Sequence, residues 1–191
     1  MQRRTAIKWL VGLLGTCCSL LVAVPGGSFL LSAVRRRGGG GAIVQRVARL
    51  VDLVPGEPLQ VPVVGKTRDA WTVYDQQIIG RVWLVRRSGS EVPPEKAHVE
   101  AFSAVCPHLA CTIGLDTERN RFHCPCHEAG FDLAGKRLGA AELGHPNPSP
   151  RDMDPLECRV VRDAGDDSWW VEVTYRRFEI GRNVRRPVGA A

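Results

Sequence analysis

The sequence predicts an all-β globular head carried behind one N-terminal membrane helix. Three observations point there. Residues 9–24 form an uncharged apolar run, which resumes over 28–34 after Pro25-Gly26-Gly27. Beyond residue 42, short β-branched and aromatic runs recur between Gly, Pro and Asp, the pattern of strands joined by turns. No long amphipathic period competes with them in the head.

The N-terminal segment is long enough to cross a bilayer core as a helix, even where Pro25 and the glycines bend or end it early. A cleaved signal peptide is the competing reading. Against it, the apolar stretch is long and no small-x-small site precedes a polar start. Residues 1–37 therefore read as a retained anchor. Arg35-Arg36-Arg37 balance the N-terminal charges, so charge alone does not orient the helix. Arg3-Arg4 ahead of an uncharged core resembles a twin-arginine export signal, which implies a head on the outer, periplasmic side of the cell membrane. Gly38-Gly39-Gly40-Gly41 then reads as a flexible tether, residues 38–41.

In the head, residues 42–175, strands are expected at 59–64, 71–74, 78–85, 98–105, 121–123, 130–132, 156–161 and 169–175. Trp169-Trp170 is expected to sit in a core strand. The basic tail, 176–191, is expected at the surface. The formal net charge is +6, with much of the excess in the first fifty residues. Aromatic residues are sparse and no basic block interleaves with them, so nucleic-acid binding is excluded as a function class.

The chemistry is concentrated in Cys106-Pro107-His108-Leu109-Ala110-Cys111 and Cys124-Pro125-Cys126-His127. Two cysteines and two histidines can close a four-ligand metal site, and structural zinc is the plain reading of that inventory. Zinc fingers, however, usually put both cysteines in one half and both histidines in the other. Here each half supplies one thiolate and one imidazole. That suits a 2Fe-2S cluster with one all-sulfur and one all-nitrogen iron.

These loops, 106–111 and 124–132, resemble the cluster-binding loops of Rieske iron-sulfur proteins. The resemblance implies a Rieske-type antiparallel β sandwich or barrel with an inserted cluster-binding subdomain. It implies Cys106 and Cys124 on one iron and His108 and His127 on the other. It also implies a disulfide between Cys111 and Cys126, as in Rieske subunits of quinol-oxidising cytochrome bc-type complexes. Such a bond needs an oxidising compartment, in keeping with an outward-facing head. The competing reading makes Cys111 and Cys126 small buried hydrophobes. Core or lipid-facing packing is the default for Cys17, Cys18 and Cys158, with lipidation the alternative at Cys17 or Cys18.

The same resemblance makes Leu109 an apolar shield and Gly135 the glycine of the turn after the second loop. Pro146 and Pro148 would belong to a proline-rich cover displaced along the chain, with His145 meeting solvent. High-potential family members read Gly-Ser-x-Tyr after the second histidine; this chain reads Glu128-Ala129-Gly130-Phe131. Ala129 and Phe131 lack the hydroxyls that donate to cluster sulfur, and Glu128 adds negative charge. All three changes favour a low potential, matched to menaquinol rather than ubiquinol.

The expected function is an electron-transfer subunit of a membrane quinol-cytochrome c reductase. Either His127 or His108 would accept the quinol hydrogen bond and proton, His127 being the usual one in the family. The expected partners are a membrane, quinol, cytochrome b and a c-type cytochrome. Alternatives are the Rieske small subunit of an arsenite oxidase and a structural zinc module. A Rieske oxygenase would need a second domain for its catalytic iron, and no chain remains to build one.

Overall fold

Strand pairing organises the head into two antiparallel sheets. The computed structural model describes residues 3–35, 41–69 and 71–188. Of the expected tether only Gly41 falls among them, and Arg36 and Arg37 also lie outside. The larger sheet has the order β1-β9-β8-β4-β3-β2. Its strands are β1 (Ile43–Arg49), β2 (Pro58–Asp69), β3 (Thr72–Arg86), β4 (Val99–Ser103), β8 (Pro155–Arg162) and β9 (Trp169–Tyr175). The smaller sheet is β5 (Gly114–Asp116), β6 (Arg121–Cys124) and β7 (Ala129–Phe131), with β6 in the centre. The Gln45 side-chain oxygen on β1 accepts from the Val64 N–H on β2 at 3.2 Å, drawing the two edge strands towards closure as a barrel.

Two cores follow from the alternation of side chains along these strands. One, between the faces of the larger sheet, contains Val61, Val63, Val82, Leu84, Val171, Val173 and Tyr175. The other joins the larger sheet to the smaller one through Trp83, Val85, Phe102, Ile113, Phe122 and Phe131. Trp83 stacks obliquely on Phe122 with centroids 5.2 Å apart. Its indole N–H donates to the Ile113 carbonyl at 3.0 Å. The small sheet is thereby anchored on the large one.

Several expectations change. The runs at 71–74 and 78–85 form one strand, β3, because polar Asp75-Gln76-Gln77 lies along β2 and two register shifts absorb the mismatch. β1 was not expected: its apolar positions alternate with Gln45, Arg46 and Arg49, which conceal a strand that pairs with β9 from Ile43↔Tyr175 onwards. In the expected core strand β9, Val171, Val173 and Tyr175 are buried, while Trp169 and Trp170 are half-buried. The basic tail lies at the surface, with residues 180–186 exposed, and hydrogen bonds tie it to the head. Residues 176–188 fold back, with the Glu179 N–H on the Arg186 carbonyl and the Arg177 guanidinium on the Ile79 carbonyl.

The N-terminal unit is one helix, α1 (Arg3–Arg35), which Pro25 and the following glycines do not end. Residues Arg3–Leu31 are long and apolar enough to cross a membrane. The Thr16 and Ser19 hydroxyls donate to the Gly12 and Gly15 carbonyls, both at 2.9 Å. These two hydroxyls thus find their acceptors within the helix, as a lipid environment would require.

Candidate metal centre

Two tight turns of similar build carry the Cys/His pairs. The first begins where β4 ends. The Cys106 N–H donates to the Cys111 carbonyl at 2.8 Å and the Ala110 N–H to the Cys106 carbonyl at 3.0 Å. A bridge from Val105 to Thr112 closes its base. The second is the hairpin turn between β6 and β7, with Cys124 paired to Ala129 at its base. Each turn ends on a non-glycine residue in the left-handed region, Ala110 at φ 63° and Glu128 at φ 60°. Such residues carry strain; here Glu128 directly follows His127, and Ala110 lies two residues after His108.

The turns present the candidate ligands as two pairs, buried cysteines and more accessible histidines. Cys106 and Cys124 are buried at 1% and 2% exposure. Burial pushes the Cys106 thiol up to about 11. Backbone hydrogen bonds from His108 and Leu109 oppose that rise, while the charge and side chain of Cys124 add to it. A metal would have to displace these thiol protons, and its charge would replace solvent as the stabiliser of two buried thiolates.

The imidazoles of His108 and His127 meet edge to face, centroids 4.8 Å apart. His127 is exposed and His108 half-exposed. Buried sulfur on one side and accessible nitrogen on the other fit a mixed-ligand 2Fe-2S cluster.

Cys111 and Cys126 form a disulfide that ties one turn to the other, with Cα atoms 6.5 Å apart. The Cys124 sulfur lies within 4.8 Å of both bridge sulfurs. Because the bridge sulfurs are bonded to each other, neither is a thiolate ligand, and only Cys106 and Cys124 remain as thiols at the site. Cys158 is half-buried away from them, its thiol donating to the Val99 carbonyl at 3.0 Å.

Around the turns, Leu109 is 55% exposed and gives the tip an apolar surface. Ala129 and Phe131 are fully buried in the core that includes both thiols. Glu128 points outward and lies 3.7 Å from the His145 ring. The segment carrying Pro146 and Pro148 is held against the second turn by Asn147, whose amide donates to the Gly130 carbonyl at 2.7 Å. Gly135 takes φ +74°, and a Cβ there would meet the Phe102 ring at 2.8 Å.

One contact was not foreseen. The Gly181 N–H donates to the Pro107 carbonyl at 2.8 Å, between the two candidate ligands of the first turn. Its only sequence signal is a glycine in a basic stretch, too common a feature to single out.

The profile described as "Rieske [2Fe-2S] domain" matches residues 44–148. The iron-sulfur subunit of menaquinol:cytochrome c reductase from Geobacillus thermodenitrificans is 29% identical over 106 residues, 54% of this chain and 55% of that one. A cytochrome b6-f complex iron-sulfur subunit from Synechococcus elongatus is 31% identical over 74 residues, 39% of this chain and 37% of the relative. The chain thus spans about half the length, or less, of these curated relatives. A plasma membrane Rieske protein from Synechocystis PCC 6803 superposes with TM-score 0.40 at 22% identity, covering 66% of this chain and 97% of that one.

Proposed function

From the premise that the chain belongs to the Rieske [2Fe-2S] domain family, we propose that it is the iron-sulfur subunit of a membrane quinol-cytochrome c reductase. Cys106 and Cys124 would hold one iron, and His108 and His127 the other. Bound there, the 2Fe-2S cluster supplies a one-electron acceptor. The observation that carries this reading is a pair of buried thiols and a pair of touching imidazoles, carried on two turns that a disulfide links.

His127 is the more accessible imidazole. Its outer nitrogen accepts the quinol hydroxyl hydrogen bond and takes the proton, with Leu109 contacting the apolar ring. The partners that suit this reading are a c-type cytochrome and a membrane cytochrome b, each of which would receive one of the two quinol electrons. Helix α1 serves as the anchor behind a twin-arginine signal, residues 38–41 as the tether, and the head lies outside.

Menaquinol is the substrate that suits Ala129 and Phe131, which bring no hydroxyl to the core holding the thiols. Glu128 contributes less, because its side chain is 72% exposed and its charge is screened.

Purification of a tagged full chain from solubilised membranes tests the assignment. The expected preparation contains b- and c-type haem and oxidises a menaquinol analogue with cytochrome reduction. Co-purification with a molybdenum oxidase and no haem b would favour the arsenite oxidase reading instead.

A further inference from the structure

We infer that Arg151 is a positioning residue for the first ligand turn, acting through the main chain of residues 179–182. The inference rests on the cluster assignment above and extends it to residues far from the Cys/His motifs.

Arg151 and Asp154 form a bidentate ion pair, Nε to Oδ1 at 2.9 Å and Nη2 to Oδ2 at 2.7 Å. Their side chains are only 8% and 5% exposed. A buried guanidinium must place its remaining donors. Arg151 spends them on main-chain carbonyls: Nη1 donates to Arg182 at 2.7 Å and Nη2 to Glu179 at 2.8 Å. Both acceptors belong to the returning C-terminal segment.

Those two bonds bracket Gly181, which adopts φ +67°. Its N–H reaches the Pro107 carbonyl at 2.8 Å. A continuous path therefore runs from the Asp154 carboxylate through Arg151 and residues 179–182 to the peptide between Cys106 and His108. Rotation of that peptide would move the sulfur and the imidazole relative to each other. The Gly181 bond opposes this rotation from outside the turn.

The segment carrying Arg151 also reaches β7, the strand that leaves the second turn. Asn147 binds the Gly130 carbonyl, the Ser149 hydroxyl donates to the Arg151 carbonyl at 2.7 Å, and the Ser103 N–H donates to the Asp154 carbonyl. Residues 147–154 thus brace both ligand turns, the second at β7 and the first through the C-terminal segment. This geometry gives the folded-back tail a role that its basic composition does not suggest.

Two full-length-derived variants test the inference: Arg151→Met, and a chain ending at Phe178. The second leaves Arg151 and Asp154 paired, so it remains informative if Arg151→Met fails to fold. Each is compared with the wild type by circular dichroism, by the g-values of the reduced cluster, and by the rate at which visible absorbance decays. With the β spectrum retained, displaced g-values and cluster loss about 10- to 100-fold faster are expected, the usual scale for losing support behind a metal ligand. Wild-type g-values and decay in the truncated chain would overturn the inference and leave the cluster assignment standing. Absence of the signal from the wild type would instead remove the cluster assignment, and this inference with it.

Discussion

The rings of His108 and His127 stand edge to face at 78°, centroids 4.8 Å apart, although they belong to different turns. Neither turn could hold that relationship alone. The Cys111–Cys126 bridge joins them on one side, and β6 pairing with both β5 and β7 holds the second turn to its sheet.

Removing the bridge should therefore be costly. The bonded cysteines are 15 residues apart in sequence, a loop whose closure is worth about 3 kcal/mol. Cys111→Ser with Cys126→Ser is expected to lower the denaturation midpoint accordingly and to hasten cluster loss. An unchanged midpoint would mean that strand pairing alone holds the turns.

Glu128 occupies the left-handed region at φ 60°, where glycine carries no Cβ penalty. Glu128→Gly should stabilise the head by about 1 kcal/mol, the scale of that penalty, offset slightly by loss of the exposed contact to His145. A thermal melt decides it; a lower melting temperature would show that the His145 contact outweighs the strain.

The buried alanine at 129 offers a direct test of the potential argument. Ala129→Ser should raise the midpoint potential if the new hydroxyl donates to cluster sulfur. A differential hydrogen bond of about 1 kcal/mol corresponds to about 40 mV for one electron. A redox titration with no rise, or a fall, would remove the hydroxyl explanation for a low potential.

Cys158 should be chemically quiet. Burial, aided by the negative charge of Glu100, pushes its thiol from 9.0 to about 11. A raised folded-state value means its contribution to stability is complete below about pH 9 and is lost as pH rises through about 11. Iodoacetamide at pH 8 should label Cys158 only after denaturant is added. Labelling of the native head at the unfolded rate would contradict this.

The ligand turns were legible because cysteine and histidine are scarce and their alternation within each half is chemically uncommon. Phe122 and Phe131 were legible as strand residues for a different reason, their apolar runs lying between turn signals. The brace was not. Arg151 binds the carbonyls of Glu179 and Arg182, and a main-chain acceptor leaves no mark on side-chain identity. β1 was hidden similarly: Arg46 and Arg49 make it look solvated, yet Arg46 pairs with Asp163 and Arg49 lies over the Trp170 ring at 5.4 Å. Its pairing with β9 supplies the ladder that local apolar content does not announce.

The proposed function stands on a mixed-ligand 2Fe-2S cluster of low potential at Cys106, His108, Cys124 and His127. It is tested most directly by an electron paramagnetic resonance spectrum of the dithionite-reduced full chain, followed through a redox titration. The predicted result is a signal with the low average g-value of mixed nitrogen and sulfur ligation, with a midpoint well below the top of the Rieske range at about +300 mV. A midpoint near that top would contradict the menaquinol assignment alone. A colourless, zinc-containing protein with no signal would contradict the whole account.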